Sequence, residues 1–264
     1  MTHLLAHRLL LLEPIGEGGT SAVRRAWDLR RRRVVAAKLL PRASYDAVHA
    51  EPRLRHPHVL TVDEVLTTRH LVALLMPLAR GGTADRLLAE HGALPPDFVA
   101  VLLDQVLDAL VTVHRAGLVH GDVKPANLLL DATGTSRPRL RLADFGAATP
   151  AGGHRTAATD AYLAPEAVRG ARPDPRQDLY AAGVTAAELL TARPPPSPPP
   201  RGPLRPLLAA LTDPDPDDRI PDAPAARVVL HALGIPDSAP WQRSPHPPYV
   251  PDRFRRQVRR SQRR

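Results

Sequence analysis

A chain of 264 residues, 43% of them hydrophobic, is long enough to fold as one large domain or as two lobes. It contains no cysteine, which excludes disulfide bonds and thiolate catalysis and fits a reducing compartment. The formal net charge is +9, but seven arginines lie in the last twelve residues, so the rest of the chain carries +2 (nine less seven).

No apolar run approaches the roughly 18 residues that a membrane span needs. The longest apolar-looking stretch, residues 98–113, contains Asp104, Gln105 and Asp108. The first residues, MTHLLAHRLLLLEPIGEGG, run directly into a glycine-rich turn without a cleavage-like site. We therefore expect no signal peptide and a cytoplasmic protein.

The first 76 residues predict mostly β-structure. Two strand-like runs flank the turn GEGGTS, and three more follow it along the chain. A short helix is predicted in residues 43–51, where Pro52 stops it. The predicted strands are 9–15, 22–28, 34–40, 59–66 and 70–76.

After the paired glycines at 81 and 82 the pattern becomes helical. The longest predicted helix follows Pro96 and precedes Gly117, and its apolar residues recur at helical spacing. Short strands are predicted to flank residues 120–144. The predicted helices are 83–90, 97–115, 165–168, 178–191, 204–211 and 223–233.

Proline and arginine dominate the end of the chain. The run PPPSPPP at 194–200 predicts a stiff spacer, with a docking ligand as the alternative. From about residue 234 no apolar period remains, so we expect a flexible tail. These shifts divide the chain into 1–79, 80–233 and 234–264. The tail's arginines suit an acidic partner, an anionic membrane surface or nucleic acid, and a solvated tail is equally compatible.

Two lysines and one asparagine stand out in a chain whose other 34 basic side chains are arginine. Lys38 lies mid-strand in VVAAKLL, where an ammonium is costly unless it meets anions, although an exposed edge lysine is the simpler alternative. Lys124 and Asn127 lie close together in HGDVKPANLLL (120–130). A compact ammonium suits a tight phosphate site better than the broad arginine fork, so these residues mark a candidate site.

Carboxylates accompany these rare residues. HGDVKPANLLL also supplies Asp122, and the later DFG motif supplies Asp144 after a strand-like run. A carboxylate can accept a hydroxyl proton, while an amide oxygen and a second carboxylate suit Mg²⁺. GEGGTSAV (16–23) would let backbone amides approach phosphate oxygens, but alone it equally predicts an ordinary hairpin turn. The ordered set of acid, ammonium, amide and acid is the specific signal.

These motifs resemble those of the eukaryotic-type Ser/Thr protein kinases of bacteria, over about residues 8–233. GEGGTSAV is similar to the glycine-rich loop, VAAK to the strand that bears the phosphate-binding lysine, HGDVKPAN to the catalytic loop and DFG to the magnesium loop. Asp178 resembles the residue that ties down the catalytic loop, and Arg219 resembles the partner of Glu166 in LAPE. The resemblance implies an α+β, bilobal protein-kinase-like fold with a small, mostly β N-lobe and a larger, mostly α C-lobe.

The resemblance also implies roles in an ATP- and Mg²⁺-dependent protein Ser/Thr kinase. Lys38 would hold the α and β phosphates of ATP. Asp122 would orient the substrate hydroxyl and take its proton, and Lys124 would stabilise the γ-phosphate in transit. Asn127 and Asp144 would bind Mg²⁺. In such a reaction, positioning and charge supply most of the rate.

The same resemblance extends to the nucleotide pocket. Thr159 resembles the threonine that contacts the catalytic aspartate, and Met76 resembles the gatekeeper before a hinge of Pro77, Leu78 and Ala79. Pro77 lacks an N–H, which is tolerable if adenine takes its hydrogen-bond donor from Ala79. The residues implied in nucleotide binding are Ile15, Gly16, Gly18, Val23, Ala36, Lys38, Glu51, Met76, Pro77 and Ala79.

The chain departs from the family pattern in two shortened regions. Only 17 residues separate Lys38 from the HPHVL motif, which is short for the helix that usually carries the lysine's glutamate partner. We favour Glu51 over Asp46 as that partner, with a merely solvated acid as the alternative. Only 40 residues separate Asp178 from the family's late arginine, so the region that usually docks substrates is reduced and the protein substrate is not predicted.

The catalytic loop reads HGD, with Gly121 where many relatives have an arginine that receives an activation-loop phosphate. We therefore expect an ordered core without phosphorylation of Thr149, Thr156 and Thr159. Two other functions stay open: a pseudokinase that binds nucleotide or acts as a scaffold, and a small-molecule phosphotransferase of kinase-like fold. The retained lysines, acids and asparagine argue against the first, and KPAN and LAPE against the second.

Overall fold

The N-terminal part of the chain forms a six-stranded antiparallel sheet with strand order β1-β2-β3-β4-β6-β5. The structure, a computed structural model, describes residues 3–18, 21–43, 54–153, 159–234 and 247–255. The strands of this sheet are β1 (His3–Leu5), β2 (Leu9–Gly18), β3 (Ser21–Asp28), β4 (Arg33–Pro41), β5 (Glu64–Thr67) and β6 (Leu71–Met76).

Four of the five predicted strands lie in this sheet near their expected bounds, and β1 is an addition. The prediction for 59–66 is wrong in its first half, because β5 begins at Glu64. The backbone N–H of Leu60 instead donates to the carbonyl oxygen of Leu142 at 2.8 Å, and Val59 forms a parallel bridge to the same residue. Both apolar side chains are buried there. An apolar run alone does not indicate which surface covers it.

Alternation along β4 gives the sheet two different faces. Val35 and Ala37 point into the apolar core of this lobe, whereas Ala36 and Lys38 lie on the opposite face. A rigid strand, rather than a loop, therefore carries the lysine. The core of this lobe consists of Leu9, Leu11, Ala26, Val35, Ala37, Ala73 and Leu75.

Helices dominate the rest of the chain, and all six predicted helices are present with ends within three residues of the prediction. The longest is buried all round: Pro96 starts it, and thirteen of its residues are buried, so it forms the centre of the second lobe. The helices are α1 (Ala84–His91), α2 (Pro96–Arg115), α3 (Pro165–Val168), α4 (Pro175–Thr191), α5 (Arg205–Leu211) and α6 (Ala223–Ala232).

Short strands on the second lobe fix the loops between them. One small sheet has the order β10-β9-β7, and β11 pairs antiparallel with β8. The loops at residues 120–127 and 143–148 leave from the ends of these strands. The strands are β7 (Gly82–Thr83), β8 (Leu118–Val119), β9 (Leu128–Leu130), β10 (Leu140–Leu142) and β11 (Thr149–Pro150).

The two shortened regions differ in what the structure describes. Most of the helix predicted at 43–51 lies outside the described residues. In the described span 159–234, no helix occurs between α4 and α5, which agrees with a reduced substrate-docking region. Of the helices in the described part of the chain, none has both the length and the apolar character required to cross a bilayer.

The expectation of a tail that is flexible throughout is wrong for residues 247–255, because this segment packs against the body of the protein. Val250 is 1% exposed and belongs to the core of the helical lobe. Its backbone exchanges two 2.9 Å hydrogen bonds with Gly134. Proline-rich sequence without a period gave no signal of this long-range contact.

A buried ion pair joins α3 to the turn before α6, as the resemblance implied. The guanidinium of Arg219 donates to both carboxylate oxygens of Glu166, at 2.8 and 3.0 Å. Its remaining donors reach the backbone carbonyls of Asp213 and Arg176. Burial acts to raise the pKa of Glu166, but the bonds from Arg219 outweigh it and the pKa is lowered. Both partners are thus charged and satisfied.

Replacing Arg219 by alanine is expected to lower the free energy of unfolding by about 3–5 kcal/mol, because it leaves the carboxylate of Glu166 buried without its partner. Urea denaturation measures this change. Arg169→Ala is the matched control, since Arg169 is exposed three residues from Glu166. Equal stability of the two variants would contradict the assignment.

Candidate active site

A buried carboxylate holds the loop that carries the candidate catalytic residues. Asp178, in the first turns of α4, is fully buried and accepts backbone N–H bonds from His120 and Gly121, both at 2.8 Å. Nε2 of His114, on α2, lies 2.9 Å from the same carboxylate. Burial acts to raise the pKa of Asp178, but its bond to His114 helps to bring the net shift down. An ionised side chain therefore fixes the loop backbone, as the resemblance implied.

The imidazole of His120 links the two halves of the site. Nε2 lies 3.2 Å from the carbonyl oxygen of Ala143, and Nδ1 accepts the backbone N–H of Asp122 at 3.3 Å. The ring also packs edge-on against Phe145, with centroids 4.7 Å apart. The two hydrogen bonds match a neutral imidazole protonated at Nε2. Burial lowers the pKa of His120, despite the opposing effect of nearby carboxylates, in agreement with that form.

Three residues, Lys124, Asn127 and Thr159, contact the carboxylate of Asp122. The ammonium of Lys124 lies 2.7 Å from its Oδ2 and 2.5 Å from Oγ1 of Thr159. The amide nitrogen of Asn127 donates to the same Oδ2 at 2.9 Å, and the backbone N–H of Thr159 donates to Oδ1 at 3.1 Å. Burial acts to raise the pKa of Asp122, but these donors, Lys124 first among them, lower it overall. The carboxylate is therefore ionised at neutral pH.

An ion pair connects the sheet to the DFG turn. Nζ of Lys38 lies 2.6 Å from Oδ1 of Asp144, which also accepts the backbone N–H of Gly146 at 3.3 Å. Burial acts to raise the pKa of Asp144, but the ammonium of Lys38 lowers it. Asp144 itself has a left-handed backbone, with φ of 63°. The strand lysine and the loop acid are thus brought together across 106 residues of sequence.

Asn127 and Asp144 have the chemistry to hold a hard cation. The backbone N–H of Ala143 donates to the backbone carbonyl oxygen of Asn127 at 2.9 Å. This bond holds the residue before Asp144 against Asn127. The amide nitrogen of Asn127 donates both of its hydrogen bonds to Asp122, one to the backbone carbonyl oxygen and one to Oδ2. The amide oxygen, which is the atom that can bind a cation, takes part in neither bond. An amide oxygen and a carboxylate are suitable Mg²⁺ ligands.

Four of the predicted nucleotide-binding residues, Val23, Ala36, Lys38 and Met76, lie on one face of the sheet. Lys38 pairs across the ladder with Val23 on β3 and with Leu74 on β6, and Ala36 pairs with Met76. Directly opposed residues in antiparallel strands share a face, so Val23, Ala36 and Met76 lie on the same face as the lysine. On β2, Gly16 is opposite Val23 and Gly18 is opposite Ser21, and Ile15 is half-buried beside them. GEGGTS thus joins two strands of a hairpin next to the lysine strand.

The segment after β6 completes this edge of the site. Pro77 and Leu78 are half-buried, and Ala79 is 9% exposed. Glu51 and Asp46, the two alternatives for the partner of Lys38, lie outside the described residues, as does Thr156. Among the described residues, Asp144 is the acid that pairs with Lys38.

Two contacts of the loop were not expected from the sequence. His114 bonds to Asp178, and Oγ1 of Thr185 on α4 donates to the backbone carbonyl of Val123 at 3.2 Å. A histidine at the next-to-last position of α2, directly after the buried Val113, was an available signal for the first. A small polar residue on a buried helix face, which needs a partner, was the signal for the second.

A strand lysine faces two loops in this two-lobed molecule: one carries an acid, an ammonium and an amide, and the other carries a second acid. This arrangement defines the class of protein-kinase-like folds. The family described as the protein kinase domain matches residues 10–200. The chain therefore belongs to the protein kinase domain family.

Named bacterial proteins show the same similarity. The chain is 40% identical over 210 residues to the serine/threonine-protein kinase PknL of Mycobacterium tuberculosis, covering 73% of this chain and 51% of that protein. It is 33% identical over 225 residues to the serine/threonine-protein kinase PkaA of Streptomyces coelicolor, covering 71% of this chain and 39% of that protein. The chain thus spans about half the length, or less, of these relatives.

A neutral, buried His120 predicts that folding stability falls on acidification. Because its pKa is lower in the folded state than the ordinary value of 6.5, the stabilising effect is complete above pH 6.5 and is lost as pH falls through the lower folded value. His120→Gln should make the fall in unfolding free energy between pH 7 and 5 shallower, by up to about 1.4 kcal/mol per pH unit.

Urea denaturation at several pH values measures that slope. His91→Gln is the control, since His91 is exposed at the end of α1. His58, whose pKa burial also lowers, is unchanged in both variants. An identical slope in wild type and His120→Gln would show that His120 does not titrate as described.

Proposed function

We propose that this chain is an ATP-dependent protein serine/threonine kinase domain that transfers the γ-phosphoryl group of ATP to a protein hydroxyl. The observation that carries the proposal is the convergence of Asp122, Lys124, Asn127 and Thr159 in one hydrogen-bonded set. The names of the relatives, all serine/threonine-protein kinases, support the same activity.

Asp122 would act on the substrate hydroxyl. Its lowered pKa keeps it ionised near neutral pH, so it can accept a hydrogen bond from a hydroxyl and take the proton as the oxygen becomes a nucleophile. Lys124, beside it, would place a positive charge where negative charge develops on the transferring group. The bond from the backbone N–H of Thr159 would hold the carboxylate in its orientation.

Lys38, Asn127 and Asp144 would hold the triphosphate and its metal. Lys38 projects from the face of the sheet that also carries the pocket residues, which suits contact with the α and β phosphates. Asn127 and Asp144 would bind Mg²⁺, which supplies charge neutralisation on the phosphate oxygens. Ile15, Val23, Ala36 and Met76 would offer an apolar surface to the adenine ring, and the hinge residues Pro77 and Ala79 would border it.

Substrate, partners and location remain predictions of the sequence. The chain spans about half of its relatives, so the acceptor protein and any partner of the complete protein are proposals only. The arginines after Phe254 suit an acidic partner, an anionic membrane surface or nucleic acid. A cytoplasmic location is proposed on the cysteine-free composition.

Phosphate transfer from γ-labelled ATP with Mg²⁺ to a generic basic protein tests the proposal. Asp122→Asn is expected to reduce the rate by about 10²–10⁴-fold, because it removes the proton acceptor while keeping the shape of the side chain. Lys38→Ala is expected to weaken ATP binding as well. Asp218→Asn is the matched control, since Asp218 is exposed on the turn before Arg219.

Each alternative function gives a different result. Mg²⁺-dependent ATP binding without any transfer by the wild type would indicate a pseudokinase. Transfer to small alcohols but to no protein would indicate a small-molecule phosphotransferase. Full activity of Asp122→Asn would show that another group accepts the proton.

A further inference from the structure

Residues 247–255 return from the end of the chain to the hinge between the lobes. Val250 fills a buried position, and its backbone pairs with Gly134 in the loop between β9 and β10. Three residues later, the backbone N–H of Arg253 donates to the carbonyl oxygen of Arg80 at 3.0 Å. Arg80 directly follows Ala79, the last hinge residue, so the segment contacts the backbone that leaves the hinge.

The side chain of Arg253 donates three hydrogen bonds, to the hinge exit and to α1. It is 9% exposed, and its Nε donates to the carbonyl oxygen of Gly81 at 2.6 Å. Its two terminal nitrogens donate to the two carboxylate oxygens of Glu90 on α1, at 2.7 and 2.8 Å. These bonds, with a smaller effect of Arg86, lower the pKa of Glu90 to about 2. A forked guanidinium thus joins the hinge exit to the first helix of the C-lobe.

The hinge exit is shaped to receive the segment. A Cβ atom on Gly81 would lie 2.6 Å from Cγ1 of Val250 and 2.7 Å from two backbone oxygens. A Cβ atom on Gly82, where φ is +83°, would lie 2.8 Å from Cδ of Arg253. Any larger residue at either position would collide with the docked segment. Glycine at position 81 is thus required by Val250 together with the backbone oxygens of Leu130 and Asp131. Glycine at position 82 is required by its positive φ as well as by Arg253.

The segment touches the N-lobe as well. The guanidinium of Arg25, on β3, lies 5.4 Å from the ring centroid of Phe254, within the range of a cation–π contact. On the other side, the carboxylate of Asp252 accepts bonds from Arg80 at 2.8 and 3.1 Å. Contacts to β3, to the hinge exit and to α1 thus come from three consecutive residues.

We propose that residues 247–255 act as a brace on the hinge, and that Arg253 is a positioning residue that keeps the nucleotide site in its binding geometry. This inference rests on the proposed kinase function. Arg253 does not belong to the pocket, so it acts through Arg80 and Gly81. With the brace docked, the hinge backbone and the two lobes are held together before nucleotide arrives. Without it, binding must order the hinge, which weakens the affinity.

The test compares three variants of the 264-residue chain with the wild type. Arg253→Ala removes the fork, Arg253→Lys keeps the charge without the fork, and Arg255→Ala is the matched control, because Arg255 is exposed in the same segment and its loss changes the net charge equally. Hydrogen exchange without nucleotide has two reporters: the amide of Val250, which donates to Gly134, reports on docking of the brace, and the amide of Gly81, which donates to Leu130, reports on the hinge exit. Titration with the Mg²⁺ complex of a non-hydrolysable ATP analogue gives Kd, and steady-state transfer gives KM and kcat.

Arg253→Ala is expected to exchange faster at both amides and to raise Kd and KM for the nucleotide about fivefold or more, the usual scale of such coupling. Its kcat should stay within about twofold, since the effect is on binding. Arg253→Lys should recover part of the affinity, and Arg255→Ala should match the wild type.

Faster exchange in Arg253→Ala with unchanged Kd would overturn the inference, because a released brace would then not affect the nucleotide site. Equal effects of Arg253→Ala and Arg255→Ala would also overturn it, since the loss of one positive charge would then explain the change in affinity. A wild type that binds no nucleotide would refute the kinase function instead. The exchange of Gly81 would still decide whether the brace holds the hinge.

Discussion

The carboxylate of Asp178 is the contact on which the geometry of the site depends. A fully buried charge is costly unless strong donors surround it, and here two backbone N–H groups and an imidazole do so. Because the two amides belong to His120 and Gly121, the same bonds that satisfy the acid fix the direction of the loop. Asp122 is the next residue in the chain, so its position is fixed through the bonds of Asp178, which lies on the largely buried helix α4.

The two lysines are explained by the space available to their ammonium groups. Lys124 places one nitrogen between Oδ2 of Asp122 and Oγ1 of Thr159, and Lys38 places one nitrogen on Oδ1 of Asp144. A guanidinium would instead present a broad planar fork of five N–H donors, whereas the lysine ammonium is a compact point charge. Elsewhere arginine serves well, as in the bidentate pair of Arg219 with Glu166. Side-chain shape therefore accounts for where this arginine-rich chain keeps lysine.

The sequence predicted what depends on local pattern and on motif spacing, and it failed where a distant partner decides. The longest helix, α2, carries a long periodic pattern, and the short motifs identified the residues around Asp122. By contrast, nothing local shows that Val59 pairs with β10 rather than with the sheet, or that Val250 returns to Gly134. His114 was likewise missed because its partner, Asp178, lies 64 residues away. Glu51 stays a prediction because it lies outside the described residues.

Gly121 shows how the loop is ordered without the arginine of many relatives. Its φ is +78°, and a Cβ atom would lie 3.2 Å from the carbonyl oxygen of Ala147, so this position favours glycine. Glycine has no side chain that could bind a phosphate group. The residue that follows the undescribed part of the activation segment, Thr159, instead contacts the candidate catalytic residues directly: its N–H donates to Asp122, and its hydroxyl oxygen accepts from Lys124. These bonds need no added phosphate, which supports the expectation of an ordered core without loop phosphorylation.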